Sequence, residues 1–302
     1  MDDKSMIRDI EVAKREMNAV LLVHNYQRAK IQDLADHLGD SLGLSRIAAE
    51  ADNPVIVFAG VKFMAETAKI LSPEKTVLLP RTDAGCPMAE MVDVTSLRRL
   101  KAEHPGALVV TYVNSTAEVK AESDVCCTSA NAVRVVQNVD ADKIIFTPDR
   151  NLAAYVQRFT EKKIIPWEGF CYVHERFTRA EVMKAKADNP GALLIVHPEC
   201  PPEVIDQADE VLSTSGMVRF ARESQAKKFL VGTEEGMLHR LRKENPDKQF
   251  ISAGAAKMCR GMKITQLEDL YNAFVERQHP IELPEGIMSR ARIALERMLR
   301  HV

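Results

Sequence analysis

The chain has 302 residues, 46% of them hydrophobic and 28% charged, which is ordinary globular composition and enough length for two or three compact units. A formal charge of -2 and a pI near 6.5 give no broad basic field, which excludes nucleic acid as the main partner and leaves a small molecule. The apolar runs, such as Ala19 to Val23, are too short for a bilayer, and Met1 to Asp9 carry no secretory or transit signal, so the expected location is cytoplasmic and without a membrane.

Met6 to Met17 has helical periodicity. Ala19-Val-Leu-Leu-Val-His24 then opens a pattern that returns as Ala107-Leu-Val-Val-Thr-Tyr112 and Ala192-Leu-Leu-Ile-Val-His197, with starts 88 and 85 residues apart. Such short, continuously apolar, β-branched runs suit strands buried on both faces of a parallel sheet. A polar loop follows each. The next strands are Val55 to Phe58, Lys143 to Phe146 and Lys228 to Val231, and Phe58, Phe146 and Val231 all lie 39 residues after their repeat starts. Helices are expected at Phe63 to Leu71, Asn151 to Phe159 and Glu235 to Lys243, each leading to a strand near Val77, Ile164 or Phe250.

His104-Pro-Gly-Ala107 and Asn189-Pro-Gly-Ala192 are turns that stop a helix and release a strand, and Leu267 to Leu299 is helical again. Strands alternating with helices imply right-handed βαβ units. The expected fold is α/β, with three pseudo-symmetric three-layer α/β/α units and parallel sheets around a central cavity. Their expected extents are 1–104, with the helices of 265–302 packing on it, then 105–188 and 189–264.

In this setting the six cysteines are poor disulfide candidates and better thiols or metal ligands. Cys86, Cys171 and Cys259 fall 67, 64 and 67 residues after the repeat starts, each in the loop after the last strand of its unit. Equivalent loops of a pseudo-symmetric arrangement point to one axis, so these thiols can converge. Three unrelated buried thiols are the plainer reading, which the recurrent spacing disfavours. Structural zinc wants four ligands at spacings such as C-x2-C, and the sequence has no such pair. Thiolates favour iron-sulfur clusters, and a cubane on three thiolates keeps one iron free for Lewis-acid chemistry. Cys126 and Cys127 have no counterparts in the other repeats and read as packing residues, as does Cys200.

Five residues into the repeats stand His24, Tyr112 and His197; seven residues in stand Tyr26, Asn114 and Glu199. Side chains two apart on an extended segment point the same way, so each strand end presents a polar pair. Ligands of open α/β sheets bind beyond those carboxyl ends. Imidazole, phenol and carboxylate supply proton donors and acceptors for enolisation and dehydration. At 22 residues in stand Ser41, Ser129 and Thr214, each expected to open a helix. Such hydroxyls are usually plain caps, and helix starts also attract phosphate or carboxylate. Three of them predict a small ligand with several negative groups. Gly232-Thr-Glu-Glu-Gly236 and Gly60-Val-Lys62 are too short and differently spaced for nucleotide loops.

Taken together, His24-Asn-Tyr-Gln27, Gly39-Asp-Ser-Leu42, Ala59-Gly-Val-Lys-Phe-Met-Ala-Glu-Thr-Ala-Lys69, Ala84-Gly-Cys86, Tyr112-Val-Asn114, Cys127-Thr-Ser-Ala-Asn-Ala132, Trp167-Glu-Gly-Phe-Cys171, His174-Glu175, His197-Pro-Glu-Cys200, Ser213-Thr-Ser-Gly-Met217 and Gly232-Thr-Glu234 resemble quinolinate synthase, the A-protein family of NAD biosynthesis. The resemblance implies one 4Fe-4S cluster on Cys86, Cys171 and Cys259. It implies a condensing and dehydrating transferase that joins iminoaspartate to dihydroxyacetone phosphate, coupled to an L-aspartate oxidase or dehydrogenase that supplies the imine. It implies that His24, Ser41, Tyr112, Asn114, Ser129, His197, Glu199 and Thr214 line the substrate cavity. Glu199 and Tyr26 are the choices for proton transfer, assisted by His24 and His197. The last cysteine lacks the C-x2-C partner of some members. The alternatives are another 4Fe-4S hydro-lyase acting on a hydroxy acid, and a non-catalytic iron-sulfur sensor; no basic helix of the kind a DNA-binding sensor carries is read here.

Overall fold

A sheet covered by helices on both faces has no wet side, so its inner strands are apolar throughout. In β1 (Ala19–His24) all six residues are buried. The structure, a computed structural model, describes residues 2–301. β2 (His37–Gly39), β3 (Val55–Ala59) and β4 (Thr76–Leu78) complete the first sheet. The second contains β5 (Leu108–Tyr112), β6 (Val125–Cys127), β7 (Lys143–Thr147) and β8 (Lys163–Pro166). The third contains β9 (Leu193–Val196), β10 (Glu210–Val211), β11 (Lys228–Gly232) and β12 (Gln249–Ser252).

Pairing within the sheets is parallel, and the order repeats: β2-β1-β3-β4, β6-β5-β7-β8 and β10-β9-β11-β12. The fold is therefore α/β with three helix-flanked parallel sheets. Because strands in each sheet run the same way, their carboxyl ends share one edge, and the loops that leave that edge carry the polar residues of all three repeats.

β2, β6 and β10 lie where the sequence reading has only polar loop. They are two or three residues long, sit at a sheet edge and pair only with the opening strand, too short for any period to register. Cys126 and Cys127 belong to β6 and are fully buried, as is Cys200.

The C-terminal segment divides between two repeats instead of packing wholly on the first. Helix Leu267–Val275 lies against helix Asp3–Glu16 and shares a core cluster with β1 and β3. Helix Glu285–Leu299 lies against helix Ala117–Ala121 and β6 of the second repeat as well as helix Lys62–Leu71 of the first. Its buried residues Ala291, Ala294, Leu295 and Met298 form one stripe at helical spacing. Between these helices Arg277 and His279 have φ of 53° and 60°, and Pro280 and Pro284 follow, so the chain turns and redirects the second helix. Among the described residues no helix is long and apolar enough to cross a membrane.

Candidate active site

One cavity receives side chains from all three repeats. The first supplies His24, Tyr26, Ser41 and Cys86; the second Tyr112, Asn114, Ser129 and Cys171; the third His197, Glu199, Thr214 and Cys259. The structure thus brings every residue singled out in the sequence to the same space. Val61, Phe63, Met64, Val173 and Met262 complete an apolar wall, which keeps water scarce and strengthens each polar contact inside.

Local chemistry explains how the hydroxyls arrive there. Asp40 Oδ1 accepts from Gly43 N at 2.9 Å and Ser213 Oγ accepts from Gly216 N at 3.2 Å, so these residues cap helices Ser41–Glu50 and Thr214–Glu223. Ser41 and Thr214 are therefore first helical residues, free of capping duty. Ser129 departs from expectation: its helix begins only at Ala132. Asn131 Oδ1 accepts from Thr128 N at 2.8 Å and holds Thr128 to Asn131 as a turn ahead of the helix. Ser129 Oγ instead stands 3.2 Å from His197 Nε2.

Glu199 is the hub of the cavity. Its Oε2 lies 2.5 Å from His174 Nδ1 and 3.5 Å from His197 Nδ1, and the two imidazoles stack with centroids 4.5 Å apart. Burial pushes the Glu199 carboxyl up, but the adjoining His174 outweighs it and holds the group below the ordinary carboxylate range. Burial, aided by the charges of Lys263 and Arg240, lowers His24 to about 3, and burial lowers His197 to about 3. Both rings are neutral at neutral pH. Burial and the charge of Glu199 raise Tyr26 and Tyr112 well above the ordinary phenol value, so both stay protonated. Tyr26 Oη pairs with Thr233 Oγ1 at 2.5 Å, and Thr233 Oγ1 reaches His174 Nε2 at 2.8 Å.

His174, Thr233, Asp149, Glu234 and Lys263 were not singled out as site residues from the sequence. Lys263 Nζ donates to the Tyr26 carbonyl at 2.6 Å and bonds Glu234 at 3.1 Å, joining third-repeat loops to the first. His174 was legible as the residue three after Cys171, and Asp149 and Glu234 as acidic residues at one offset of two repeats; Thr233 and Lys263 make contacts that span repeats and leave no local pattern.

Two of the three cysteines share a local design. Cys86 and Cys259 stand at the N-caps of single turns, Pro87–Glu90 and Arg260–Lys263. Ala89 N donates to the Cys86 carbonyl at 2.9 Å and closes the first of these turns, and His174 Nδ1 stands 3.3 Å from Cys171 Sγ. Burial pushes the Cys86 thiol up to about 12, with the charge of Cys259 adding to it. Burial raises Cys171 as well, reinforced by Glu199, Cys86 and Cys259, and it also raises Cys259. Thiolates gathered here require a cation, because each opposes the ionisation of the next.

The backbones of two cysteine loops meet at Gly261, where an added Cβ would stand 2.1 Å from the Gly85 carbonyl oxygen. Gly261→Ala is expected to force them apart and lower unfolding stability by about 1–3 kcal/mol. A denaturant titration checks this, and an unchanged midpoint would mean the loops are not in contact.

A tighter group also exists: ligand atoms of Cys171, His174 and Glu199 lie within 4.8 Å of one another. His174 Nδ1 and Glu199 Oε2 are 2.5 Å apart, a proton-sharing distance and closer than two ligands stand on one ion.

The family model described as Quinolinate synthetase A protein matches residues 8–300. The quinolinate synthase of Methanoregula boonei is 55% identical over 300 residues, covering 99% of each chain. That of Geobacter sp. strain M21 is 54% identical over 299 residues, covering 99% of this chain and 98% of the relative. That of Alkaliphilus metalliredigens is 52% identical over 300 residues, again 99% of each chain.

Proposed function

The chain belongs to the quinolinate synthetase A protein family, and from that premise we propose that it condenses iminoaspartate with dihydroxyacetone phosphate to give quinolinate, phosphate and two waters in NAD biosynthesis. The observation that carries the reading is Glu199 Oε1, a buried carboxylate oxygen with no hydrogen-bond partner among the described residues, in a cavity that also takes one thiol from each repeat. A buried acceptor left bare is costly unless a ligand completes it. Asn114 Oδ1 is bare in the same way.

The donor set fits a 4Fe-4S cluster on Cys86, Cys171 and Cys259. All three are free thiols on the cavity wall, and a four-iron cluster holds its thiolates farther apart than a single ion does, which suits loops from three repeats. When bound, the cluster supplies an iron that no protein side chain occupies, a Lewis acid for substrate oxygen.

The other tasks fall to side chains. Glu199, ionised and bare at Oε1, takes a proton from carbon next to a carbonyl or imine during enolisation. Tyr26, kept protonated, gives the proton of Oη to a departing hydroxyl. His24 and His197, neutral, orient substrate oxygens by hydrogen bonds and add no fixed charge. Ser41 and Thr214 meet carboxylate or phosphate at the first positions of ten-residue helices, where free amides and the helix dipole favour anions. Asn25 Nδ2 donates to Thr214 Oγ1 at 2.8 Å and orients that hydroxyl. Because an imine hydrolyses in water, an aspartate oxidase or dehydrogenase is the expected source of iminoaspartate.

The test is to mix protein reconstituted with iron and sulfide, without oxygen, with iminoaspartate and dihydroxyacetone phosphate, and to follow quinolinate by mass. Quinolinate formation is expected. Dehydration of a hydroxy acid without triose phosphate would favour the hydro-lyase alternative. A cluster spectrum indifferent to every ligand, with no turnover, would favour the sensor.

A further inference from the structure

The second and third repeats carry a buried carboxyl group at the same place, and each holds the backbone of a site cysteine. Asp149 stands two residues after β7 and Glu234 two after β11, both 42 residues into their repeats and both fully buried. Asp149 Oδ2 accepts from Cys171 N at 3.2 Å, while its Oδ1 accepts from Leu152 N at 2.8 Å. Glu234 Oε1 accepts from Cys259 N at 3.1 Å, while its Oε2 accepts from Gly236 N at 2.7 Å. The matching position in the first repeat, two residues after β3, is Val61, whose side chain has no acceptor. Among the described residues no side chain accepts from Cys86 N.

Cys86 differs in a second, independent way. It lines both the internal cavity and a surface groove shared with Asp83, Glu90, Tyr172 and Arg260, a groove that neither Cys171 nor Cys259 lines. A buried acceptor that bridges a cysteine amide to a second amide fixes the Cα and so the direction of the sulfur. A loop without such a tie, open to water, moves at lower cost.

We propose that Asp149 and Glu234 are positioning residues that fix Cys171 and Cys259 for the cluster, and that Cys86, untied and reached from the surface, is the thiolate that gives way first. This rests on the three-cysteine cluster reading above.

The experiment starts with reconstituted wild-type protein, treated without oxygen with a limiting iron chelator, trapped with iodoacetamide and mapped by mass spectrometry. Label is expected mainly on Cys86. Asp149→Asn and Glu234→Gln keep one acceptor oxygen for two amides, and each is expected to release iron on the order of tenfold faster. Early label should then spread to the cysteine of the altered repeat alone, Cys171 in the first variant and Cys259 in the second. General loss of stability would not select one cysteine. Equal early labelling of all three thiols in the wild type overturns the inference, and so do variants that release iron at the wild-type rate. Should Asp149→Asn fail to fold, because it also caps helix Arg150–Gln157, the wild-type labelling still decides. A wild-type protein that takes up no iron or sulfide overturns the cluster reading itself, which separates the two failures.

Discussion

Cys171→Ser is expected to yield a folded chain that holds no intact cluster and makes no detectable quinolinate. A hydroxyl is a poor ligand for iron where a thiolate is a good one, and two remaining thiolates cannot replace the third. The fold should survive because Cys171 lies in a loop, while the cores that stabilise the repeats are built from apolar strands such as Leu193–Val196 and helices such as Lys62–Leu71. Iron and sulfide content, the visible spectrum and far-ultraviolet circular dichroism, measured on one sample, check both halves. The contrasting variant is Cys126→Ser. Cys126 is fully buried within an apolar cluster, so this change places a hydroxyl there and should lower stability by about 1–3 kcal/mol while leaving iron content unchanged. Near-wild-type iron in Cys171→Ser would remove that cysteine from the ligand set.

Glu199→Gln should keep the cluster and lower kcat by roughly 10²–10⁴, the usual share of one positioned proton-transfer group. The amide nearly preserves the shape of the side chain, so KM for either substrate should change far less than kcat. Two features make this change severe. The carboxylate is held ionised by the adjoining His174 in a dry cavity, and its Oε1 has no other partner to satisfy. The amide lacks both the charge and the basicity, and it puts an N–H where an acceptor stood. A kcat within a few fold of wild type, with iron content normal, would reassign the base. Tyr26 Oη, bonded to Thr233, would be the next group to test.

Much of this molecule is legible before any coordinates are considered. Threefold recurrence of an apolar run and of a cysteine at near-constant distance, with a Pro-Gly turn at both joins, comes from residues close in sequence, where local steric and burial rules act directly. Those rules suffice for nine strands and for placing His24, Tyr112 and His197 at strand ends, but they give no sign of three short edge strands. They fall short at β2, β6 and β10, which exist only because an opening strand offers an edge to pair with. They fall short at Ser129 too, where Asn131 folds the chain back to Thr128 and delays the helix. Helix Glu285–Leu299 has the expected stripe, but the partner of a stripe is decided by which apolar surfaces remain uncovered, and those lie on two repeats.

By itself, then, the sequence determined the repeat, the strand and helix types, and which twelve side chains belong to one cavity, because periodicity and register are written in neighbouring residues. Only the tertiary structure decided what those side chains do to one another. The lowering of Glu199 by His174, the Tyr26-Thr233-His174 links, and the unequal ties on Cys171, Cys259 and Cys86 join residues tens to hundreds of positions apart. Electrostatic energy depends on distance and burial in space, and neither can be counted along the chain.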